Sequence, residues 1–460
     1  MDRLPGSTGK GTVFGRDWTK GSVIRNIFLL SWPLMISEGV WAVIQTVEMI
    51  WIGRLGAVSL AGVGVATFVF MLAMAVNMGL IEGVKAMVAR FVGAGDFEGA
   101  NCVVQQALIV STIFSLIVMA IGFFLSETIL SVFGLEADVI AEGTNYLRII
   151  LVGWLPIALF LVGYYVMQAS GDTVTPMRIT ILFGVFQAAV APFLIFGWWV
   201  FPRLGVSGAA LSYVFSFGVG AALLLLALSG GRSRLQMTLS NLQLDFNLMW
   251  RIVKIGIPAS IMRLQRPLGN LVFSRLMASF GTTAVAAHGL LRRVEQMLLL
   301  PGTALGAGGG VLVGQNLGAD QPQRAERSGW LVVMMVEVFV SIASVGILIW
   351  AEEVIGIFTT EPELLEVGGA FLRIAIVGYL MTGFSLTLQQ CLTGAGDTLP
   401  AMLFSLGDLW VVRLPLAFYM PRVANLGVFG VRWAIVIGLA VGGVAYILYF
   451  RMDRWKRKKV

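Results

Sequence analysis

Histidine, cysteine and charged residues are scarce in this sequence. Its 460 residues include one histidine and two cysteines, and only 12% of them are charged, against about a quarter in an average soluble protein. A single histidine excludes most catalytic triads and metal centres, so an enzyme is the weakest interpretation. Cys102 and Cys391 both lie near apolar segments, which argues against a disulfide framework. The first 25 residues contain no apolar run, so no cleavable signal peptide is expected.

Long apolar stretches dominate the chain instead. Hydrophobic residues make up 58% of it, and the mean hydropathy is +0.87. Twelve stretches reach the length of ~20 residues that a membrane-spanning helix needs. They lie near residues 27–51, 57–81, 101–125, 145–167, 177–200, 206–229, 253–276, 281–303, 329–350, 370–392, 401–420 and 427–450. The sequence therefore predicts an all-α polytopic membrane protein with twelve transmembrane helices.

The basic residues are distributed unevenly between the two sides of the predicted membrane. If the N-terminus is cytoplasmic, 20 Lys and Arg residues fall on that side and four on the other. The positive-inside rule then predicts a multi-pass protein of the cell (inner) membrane with cytoplasmic N- and C-termini. Because these basic residues lie in loops, the net charge of +7 does not indicate nucleic-acid binding. The expected partners are the lipid bilayer and a small-molecule organic substrate, and we expect a monomer.

The two halves of the chain repeat each other at a spacing of 225 residues. This shift aligns Pro33 with Pro258, and Gly171-Asp172-Thr173 with Gly396-Asp397-Thr398, without a gap across roughly 140 residues. Each copy holds six helices, an even number, so both copies have the same orientation in the membrane. We expect two parallel six-helix lobes, related by a pseudo-twofold axis along the membrane normal, with a binding site between them.

The repeat also predicts how the chain is divided. The expected parts are a cytoplasmic N-terminal segment (1–25), an N-lobe of helices 1–6 (26–230), a cytoplasmic linker (231–249), a C-lobe of helices 7–12 (250–450) and a basic cytoplasmic tail (451–460). In each Gly-Asp-Thr corner, glycine is expected to end one helix and Asp or Thr to cap the next. Asp172 and Asp397 are therefore predicted to have a structural role.

An acidic stripe marks the first predicted helix. Glu38, Trp41, Gln45 and Glu48 follow one another at spacings of 3, 4 and 3, which places them on one helix face. A carboxylate in the bilayer core is costly unless it faces protein or water, so this face is a candidate functional site. The alternative is that either glutamate is buried as a neutral group in a contact between helices.

The seventh predicted helix repeats this stripe with reversed charge. The shift of 225 aligns Arg263 with Glu38, Arg266 with Trp41, and Asn270 with Gln45. The pseudo-twofold axis should bring both stripes to the midline, where one interpretation is an ion pair between Glu38 and Arg263 across the cleft. The alternative is that Arg263 and Arg266 are each satisfied within the C-lobe.

Three further charges lie inside predicted helices. Asp408 and Arg413 are five residues apart in the eleventh helix, a spacing that does not favour a tight pair within an α-helix. We therefore expect Asp408 to compensate Arg263 or Arg266 at the interface between the lobes. Glu337 stands alone in the ninth helix, and the sequence indicates no partner for it.

Several short motifs accompany these features. They are Trp51-Ile-Gly-Arg-Leu-Gly56, Val313-Gly-Gln-Asn-Leu-Gly-Ala319 and Arg413-Leu-Pro-Leu-Ala417, together with the two Gly-Asp-Thr corners. Over nearly the whole chain this combination resembles the multidrug and toxic compound extrusion (MATE) family, most closely its DinF-like prokaryotic branch. The resemblance implies a V-shaped pair of six-helix lobes. It also implies export of amphipathic, often cationic organic compounds in exchange for H⁺ or Na⁺.

The resemblance further implies a cation site in the N-lobe. DinF-like members carry an acid in the first helix fifteen residues after a proline, and Glu48 follows Pro33 at that spacing. Their fifth helix supplies an Asn and an Asp where this chain has Gln187 and Ala191, and their sixth-helix threonine corresponds to Tyr213. The second carboxylate of the site is therefore missing from this chain.

An incomplete site favours a proton as the coupling ion. A dehydrated Na⁺ prefers several oxygen ligands, whereas a proton needs one group. Burial favours the neutral form of a carboxyl, which would let Glu48 bind and release H⁺ as a cavity opens to either side. We therefore predict H⁺ rather than Na⁺ coupling at Glu48, with Gln187 and Tyr213 as hydrogen-bond partners. No metal site and no organic cofactor are expected.

The predicted function is secondary active antiport, by alternating access, of amphipathic organic compounds that are expected to be cationic. The alternative is a lipid-linked saccharide flippase of the same superfamily. A flippase should carry basic residues in its cavity for a pyrophosphate, and Arg263, Arg266 and Arg413 keep that alternative open.

Overall fold

The computed structural model describes residues 16–230, 235, 244–423 and 426–458. Nearly all of these residues are helical, and no β-strand occurs among them. Most of the predicted linker (231–249) lies outside the described residues. Residues 1–15 of the predicted N-terminal segment and residues 459 and 460 of the basic tail also lie outside them.

The helices are numbered here in chain order. They are α1 (Val23–Gly53), α2 (Ala57–Ala94), α3 (Phe97–Ser131), α4 (Ala137–Val152), α5 (Trp154–Ser170), α6 (Val174–Phe196), α7 (Val206–Ser229), α8 (Phe246–Ala278), α9 (Thr282–Gly318), α10 (Pro322–Ile349), α11 (Ala351–Gly356), α12 (Pro362–Gly394), α13 (Thr398–Leu406), a π-helical segment (Gly407–Arg413), α14 (Leu414–Val423), α15 (Val428–Arg451) and a 3₁₀ turn (Arg454–Arg457).

The long helices among the described residues correspond to the twelve predicted spans. Within the described ranges, ten segments are long and apolar enough to cross a membrane, counting α13 to α14 as one, and the bent pair α4–α5 provides an eleventh. The twelfth is α8, whose 33 residues are long enough but include Arg263 and Arg266. The predicted all-α polytopic fold is therefore confirmed.

The fourth span is broken at Gly153. There α4 and α5 meet at an angle of 53°. Pro156 lies in the first turn of α5 and has no N–H to donate to the carbonyl of Val152, so the helix does not continue unbroken. Beyond the bend, α5 packs against α7 and carries Tyr164 and Tyr165 to the cavity described below.

The contacts between helices repeat from one half of the chain to the other. In the N-lobe, α2 packs on α4, and α6 packs on α7. The corresponding contacts in the C-lobe are α9 on α12 and α14 on α15. Between the lobes, α2 packs on α8, and α9, which is the repeat mate of α2, packs on α1. Helices α2 and α9 also contact each other. These paired contacts are those of two parallel repeats related by a pseudo-twofold axis, as the sequence predicts.

The first helix of each lobe begins inside the opposite lobe. Val23, Ile27 and Leu30 of α1 are buried in one hydrophobic cluster with residues of the C-lobe. Ile252 and Ile255 of α8 are buried in the cluster of the N-lobe. The boundaries predicted at residues 26 and 250 therefore mark where each repeat begins. They do not mark the packing units, because the first half of α1 packs with the C-lobe and the first half of α8 packs with the N-lobe.

The lobes are closed on one side and separated on the other. We call the closed side the termini side, because α1 begins and α15 ends there. Residues 81–89 of α2 and 308–317 of α9 are buried all around their helices, whereas both helices have exposed faces at their other ends. Near the middle of both helices, Ser260 Oγ of α8 donates to the carbonyl of Val76 in α2 at 2.9 Å. The space between the lobes therefore opens away from the termini.

Two hydrogen bonds related by the pseudo-twofold axis hold this closed side. The Arg90 guanidinium donates to the carbonyl of Ala395 at 3.0 Å, and Gln315 Nε2 donates to the carbonyl of Ala169 at 2.8 Å. Arg90 and Gln315 are 225 residues apart, and each reaches the Gly-Asp-Thr corner of the other lobe. We call these four residues the cross-lobe latch.

The two corners have structural roles, although not the same one. Gly171 has a φ of +94°, which favours glycine, and Asp172 accepts the N–H of Thr175 at 3.0 Å, as a cap does. Burial raises the pKa of Asp172 above its ordinary value, and the bonds from Thr175 oppose the shift. Asp397 instead accepts a hydrogen bond from Tyr449 at 2.6 Å and lies 3.5 Å from Lys458 Nζ in the tail.

Candidate functional site

A polar cavity of about 230 Å³ lies between the lobes. Helices α1, α2, α5, α8, α9 and α12 supply its lining. Five pairs of lining residues are related by the shift of 225: Glu38 with Arg263, Glu82 with Ala307, Tyr164 with Gln389, Tyr165 with Gln390, and Gln168 with Thr393. The cavity therefore sits on the pseudo-twofold axis, where the sequence predicts a binding site.

A carboxylate of α2 joins the two lobes in this cavity. Glu82 Oε1 lies 2.5 Å from Arg263 Nη2, and Glu82 Oε2 lies 3.3 Å from Lys85 Nζ. Glu38 does not form the proposed ion pair with Arg263 within 4.0 Å, because α2 packs directly on α8 and its Glu82 takes that place. The charges of Glu38 and Arg263 still interact electrostatically. Glu38 still lines the same cavity, so the stripes do meet at the midline.

Arg266 lines the same cavity but has no carboxylate partner. Its Nη2 donates to Gln389 Oε1 of α12 at 2.8 Å. No carboxylate of the described residues lies within 4.0 Å of its guanidinium, although Arg263, Arg373 and Arg413 each have one. Arg266 is therefore satisfied by a neutral amide of the C-lobe, which leaves its charge uncompensated.

Asp408 and Arg413 pair with each other. Arg413 Nε donates to Asp408 Oδ1 at 2.7 Å, and Arg413 Nη2 contacts Asp408 Oδ2. The expectation that Asp408 compensates Arg263 or Arg266 is wrong, because residues 407–413 are π-helical. Hydrogen bonds in a π-helix link residues five apart, so this spacing brings the two side chains together.

Asn270 lies within the C-lobe and not in the lining of the cavity. Its Oδ1 accepts a hydrogen bond from Arg292 of α9. Asp408 and Arg413 likewise pack inside the C-lobe, where Gly438 and Gly442 of α15 leave room for their ion pair. Among the predicted C-lobe residues, Arg263 and Arg266 alone therefore line the central cavity.

The stripe of α1 divides between two surroundings. Trp41 packs in the N-lobe against Phe160, Phe183 and Phe217, with ring centroids 5.2 to 6.0 Å apart, and does not line the cavity. Gln45 is exposed. At about 100° per residue, Trp41 and Glu48 are rotated roughly 60° to 80° from Glu38. This rotation turns Trp41 and Glu48 into the N-lobe and leaves Glu38 at the cavity.

Glu48 is held inside the N-lobe by a tyrosine that the sequence did not indicate. Tyr146 Oη of α4 donates to Glu48 Oε1 at 2.9 Å. Tyr213 interacts electrostatically with Glu48, and its ring packs on Phe217 at 4.7 Å. Gln187 is buried, but its Oε1 accepts no hydrogen bond from a described residue. The Glu48 site therefore contains Tyr146 and Tyr213, and no bond joins Gln187 to it.

The remaining predicted residues play other parts in the fold. Pro33 is buried in α1, and its carbonyl accepts a hydrogen bond from Ser37 Oγ at 3.0 Å. Glu337 packs against Gly383 of α12, and its buried Oε1 has no hydrogen-bond partner among the described residues.

Comparison of the two repeats could have indicated that Tyr146 and Glu82 belong to these sites. The mate of Tyr146 is Phe371, and the mate of Glu82 is Ala307. Where a residue is polar in one repeat and its mate is apolar in the other, the polar side chain is not required by the fold that both repeats share. That asymmetry is a signal present in the sequence.

Two matches to the MatE family model cover residues 33–193 and 258–419, more than half of the chain. They begin 225 residues apart, at the spacing of the internal repeat. The chain belongs to the MATE family. Members of this family are transporters and not enzymes, so this protein is a multi-pass membrane transporter of small molecules.

Known relatives match this MATE transporter over most of their length. The probable multidrug resistance protein NorM of Thermotoga maritima is 24% identical over 440 residues, which are 95% of this chain and 94% of the relative. A protein of Shewanella oneidensis named FAD transporter is 27% identical over 401 residues, 86% of this chain and 88% of the relative. The DinF-like branch stays a prediction.

A solved structure has the same fold. It is a MOP superfamily transporter from Pyrococcus furiosus, described for the reverse polarity of its binding pocket. It aligns with a TM-score of 0.88 at 23% identity and covers 96% of this chain and 98% of its own. At this identity the likeness concerns the fold alone.

Proposed function

We propose that this MATE transporter is a secondary active antiporter that exports amphipathic organic compounds in exchange for H⁺ by alternating access. The observation that carries the proposal is the polar cavity on the pseudo-twofold axis, which is closed on the termini side. By the positive-inside rule we expect a protein of the cell (inner) membrane whose termini side faces the cytoplasm. In that orientation the structure would correspond to an outward-facing state, and we expect the transporter to act as a monomer.

The contact between the lobes suits a transition between two states. Its hydrogen bonds, which include the cross-lobe latch, involve backbone carbonyls and polar side chains. Glycines allow the helices to approach closely there, because a Cβ at Gly83 would lie 2.5 Å from the carbonyl oxygen of Ile252. Since the first halves of α1 and α8 are buried in the clusters of the opposite lobes, the two bodies that move would each include the exchanged half-helix.

The Glu48 site supports a proton as the coupling ion. Glu48, Tyr146 and Tyr213 offer few oxygens for a dehydrated Na⁺, whereas a single carboxyl binds a proton. The hydrogen bond from Tyr146 stabilises the ionised carboxylate, and the surrounding apolar residues stabilise the protonated form. Because α1 contacts both lobes, a change of charge at Glu48 is well placed to bias their arrangement.

The test is transport of a fluorescent dye in proteoliposomes with an imposed pH gradient or an imposed sodium gradient. We expect the pH gradient to drive transport, Glu48→Gln to lose it, and Tyr146→Phe to weaken it. Glu337→Gln is the matched control, because it changes another intramembrane glutamate outside the Glu48 site. Full pH-driven transport by Glu48→Gln would remove Glu48 from the mechanism, and transport driven by sodium alone would refute proton coupling.

The structure supports a lipid-linked saccharide flippase less well. Such a substrate needs several free basic residues, but Arg413 pairs with Asp408 and Arg263 pairs with Glu82. The expectation that the substrates are cationic stays a prediction, and the relative named FAD transporter keeps anionic compounds among the candidates.

A further inference from the structure

The charges that line the central cavity do not balance. Three cations, Lys85, Arg263 and Arg266, face two carboxylates, Glu38 and Glu82. Glu82 serves both Lys85 and Arg263, so two of the cations share one acid. Even with both carboxylates ionised, the lining carries an excess of one positive charge.

The excess charge is concentrated at Arg266. Its one hydrogen-bond partner among the described residues is the neutral amide of Gln389, and its side chain is exposed to the cavity. Glu38 is the other acid of the cavity, and it makes no ion pair within 4.0 Å in the described part of the chain. An arginine without a counter-ion at membrane depth is costly, so a bound anion would stabilise this state of the protein.

The surroundings of Arg266 suit an amphipathic anion. Guanidinium N–H groups lie in a plane and bind carboxylate or phosphate oxygens in pairs. Gln390 and Thr393 provide further polar groups on the same wall, and the ring of Tyr165 and the side chain of Met262 provide apolar surface. An anionic head at Arg266 would therefore leave room for an aromatic or apolar body beside it.

We propose that Arg266 is the anchor of an anion site and that the transported compounds are amphipathic organic anions bearing a carboxylate, sulfonate or phosphate. This inference rests on the proposed transport function and replaces the expectation of cationic substrates. Arg266 contacts the substrate directly. Arg263 is held by Glu82, so it is not assigned a contact with the anionic head.

The experiment compares two dyes with the same xanthene skeleton, the anion carboxyfluorescein and the cation rhodamine 6G. Binding is measured by fluorescence polarisation in neutral detergent, and efflux is measured from phosphatidylcholine vesicles, which contain no anionic lipid to occupy the site. We expect the wild type to bind and export carboxyfluorescein. We expect Arg266→Gln to weaken carboxyfluorescein binding about ten-fold or more without weakening rhodamine binding.

Two variants control for folding and for general loss of charge. Arg275→Gln makes the same change in the last turn of the same helix, outside the cavity lining, and should bind both dyes as the wild type does. Arg266→Lys keeps the charge but loses the planar fork, and should fall between the wild type and Arg266→Gln. If Arg266→Gln does not fold, the wild type provides the test. It should bind carboxyfluorescein in preference to rhodamine 6G, and high salt should abolish that preference.

Three results would overturn the inference. Export of rhodamine 6G but not of carboxyfluorescein by the wild type would refute the anion site and leave the transport function standing. An equal loss of both dyes in Arg266→Gln would show a structural role for this arginine. Export of neither dye under any gradient would count against the proposed function itself, and against the anion site with it.

Discussion

Gly93 and Gly318 allow the most direct test of the contact that closes the termini side. They are repeat mates near the ends of α2 and α9. A Cβ at Gly93 would overlap the backbone of Gln315, and a Cβ at Gly318 would overlap the backbone of Arg90. The double variant Gly93→Ala, Gly318→Ala therefore places a methyl group against the backbone of each latch donor. Neither backbone can move away without parting the helices.

The size of the effect follows from overpacking. An extra methyl group in a tight contact costs about 1–3 kcal/mol, so two such groups cost roughly 2 kcal/mol or more. In the opposite state that alternating access requires, the latch residues would lie apart, so the cost would fall on the closed arrangement alone. Since each 1.4 kcal/mol corresponds to about ten-fold in an equilibrium, the ratio of closed to open molecules should fall roughly 30-fold or more.

Distances between spin labels measure this population. Glu98 and Gln323 are exposed repeat mates on the termini side of different lobes and suit labelling after substitution by cysteine. The native thiols must first be removed as Cys102→Ser and Cys391→Ala, because Cys102 is exposed and Cys391 is buried. Double electron–electron resonance should show a short distance in this background and a longer one after the two Gly→Ala changes.

Gly64 and Gly289 provide the matched control. They are also repeat mates on α2 and α9, but a Cβ at either position would meet nothing within 4 Å. Gly64→Ala with Gly289→Ala should keep the short distance on the termini side. If this control lengthens it equally, helix propensity and not contact explains the effect. An unchanged distance in Gly93→Ala, Gly318→Ala would refute the close contact itself.

Two other changes test what stabilises the lobes. Glu82→Gln leaves Arg263 and Lys85 without their shared carboxylate and should lower the free energy of unfolding by about 3 kcal/mol, seen as a lower midpoint of thermal unfolding in detergent. Adding Lys85→Gln should recover part of this loss, and a double variant less stable than Glu82→Gln would contradict the shared pair. Trp455→Ala removes a fully buried ring stacked on Phe450 at 4.5 Å and should cost about 3 kcal/mol and expose the tail to protease. An unchanged rate of cleavage would show that the ring does not hold the tail.

The sequence predicts the spans, the repeat and the midline site because each depends on patterns along the chain. Apolar length defines a span, and an even number of spans per copy sets the orientation of both lobes. Glu38 and Arg263 line the cavity as predicted, because a twofold axis must bring repeat mates together there.

Side-chain partners were harder to predict because they depend on local geometry that periodicity does not contain. Arg263 pairs with Glu82 since α2 and not α1 packs beside α8. Asp408 reaches Arg413 since the helix widens to a π-helix between them. In both cases the sequence indicates which charges matter, but it does not indicate which residue each one faces.

The chemistry of this transporter lies in the differences between its two repeats. Glu48 and Tyr146 form a hydrogen-bonded pair in the N-lobe, and their mates in the C-lobe are Phe273 and Phe371, both buried. A shared backbone fold allows both lobes to move as equivalent units, while one lobe alone carries the group proposed to bind a proton. A proton bound at Glu48 would therefore stabilise one lobe without an equal effect on the other. Grafting Phe at both Glu48 and Tyr146 would make the lobes alike at this site, and we expect it to preserve the fold and abolish pH-driven transport.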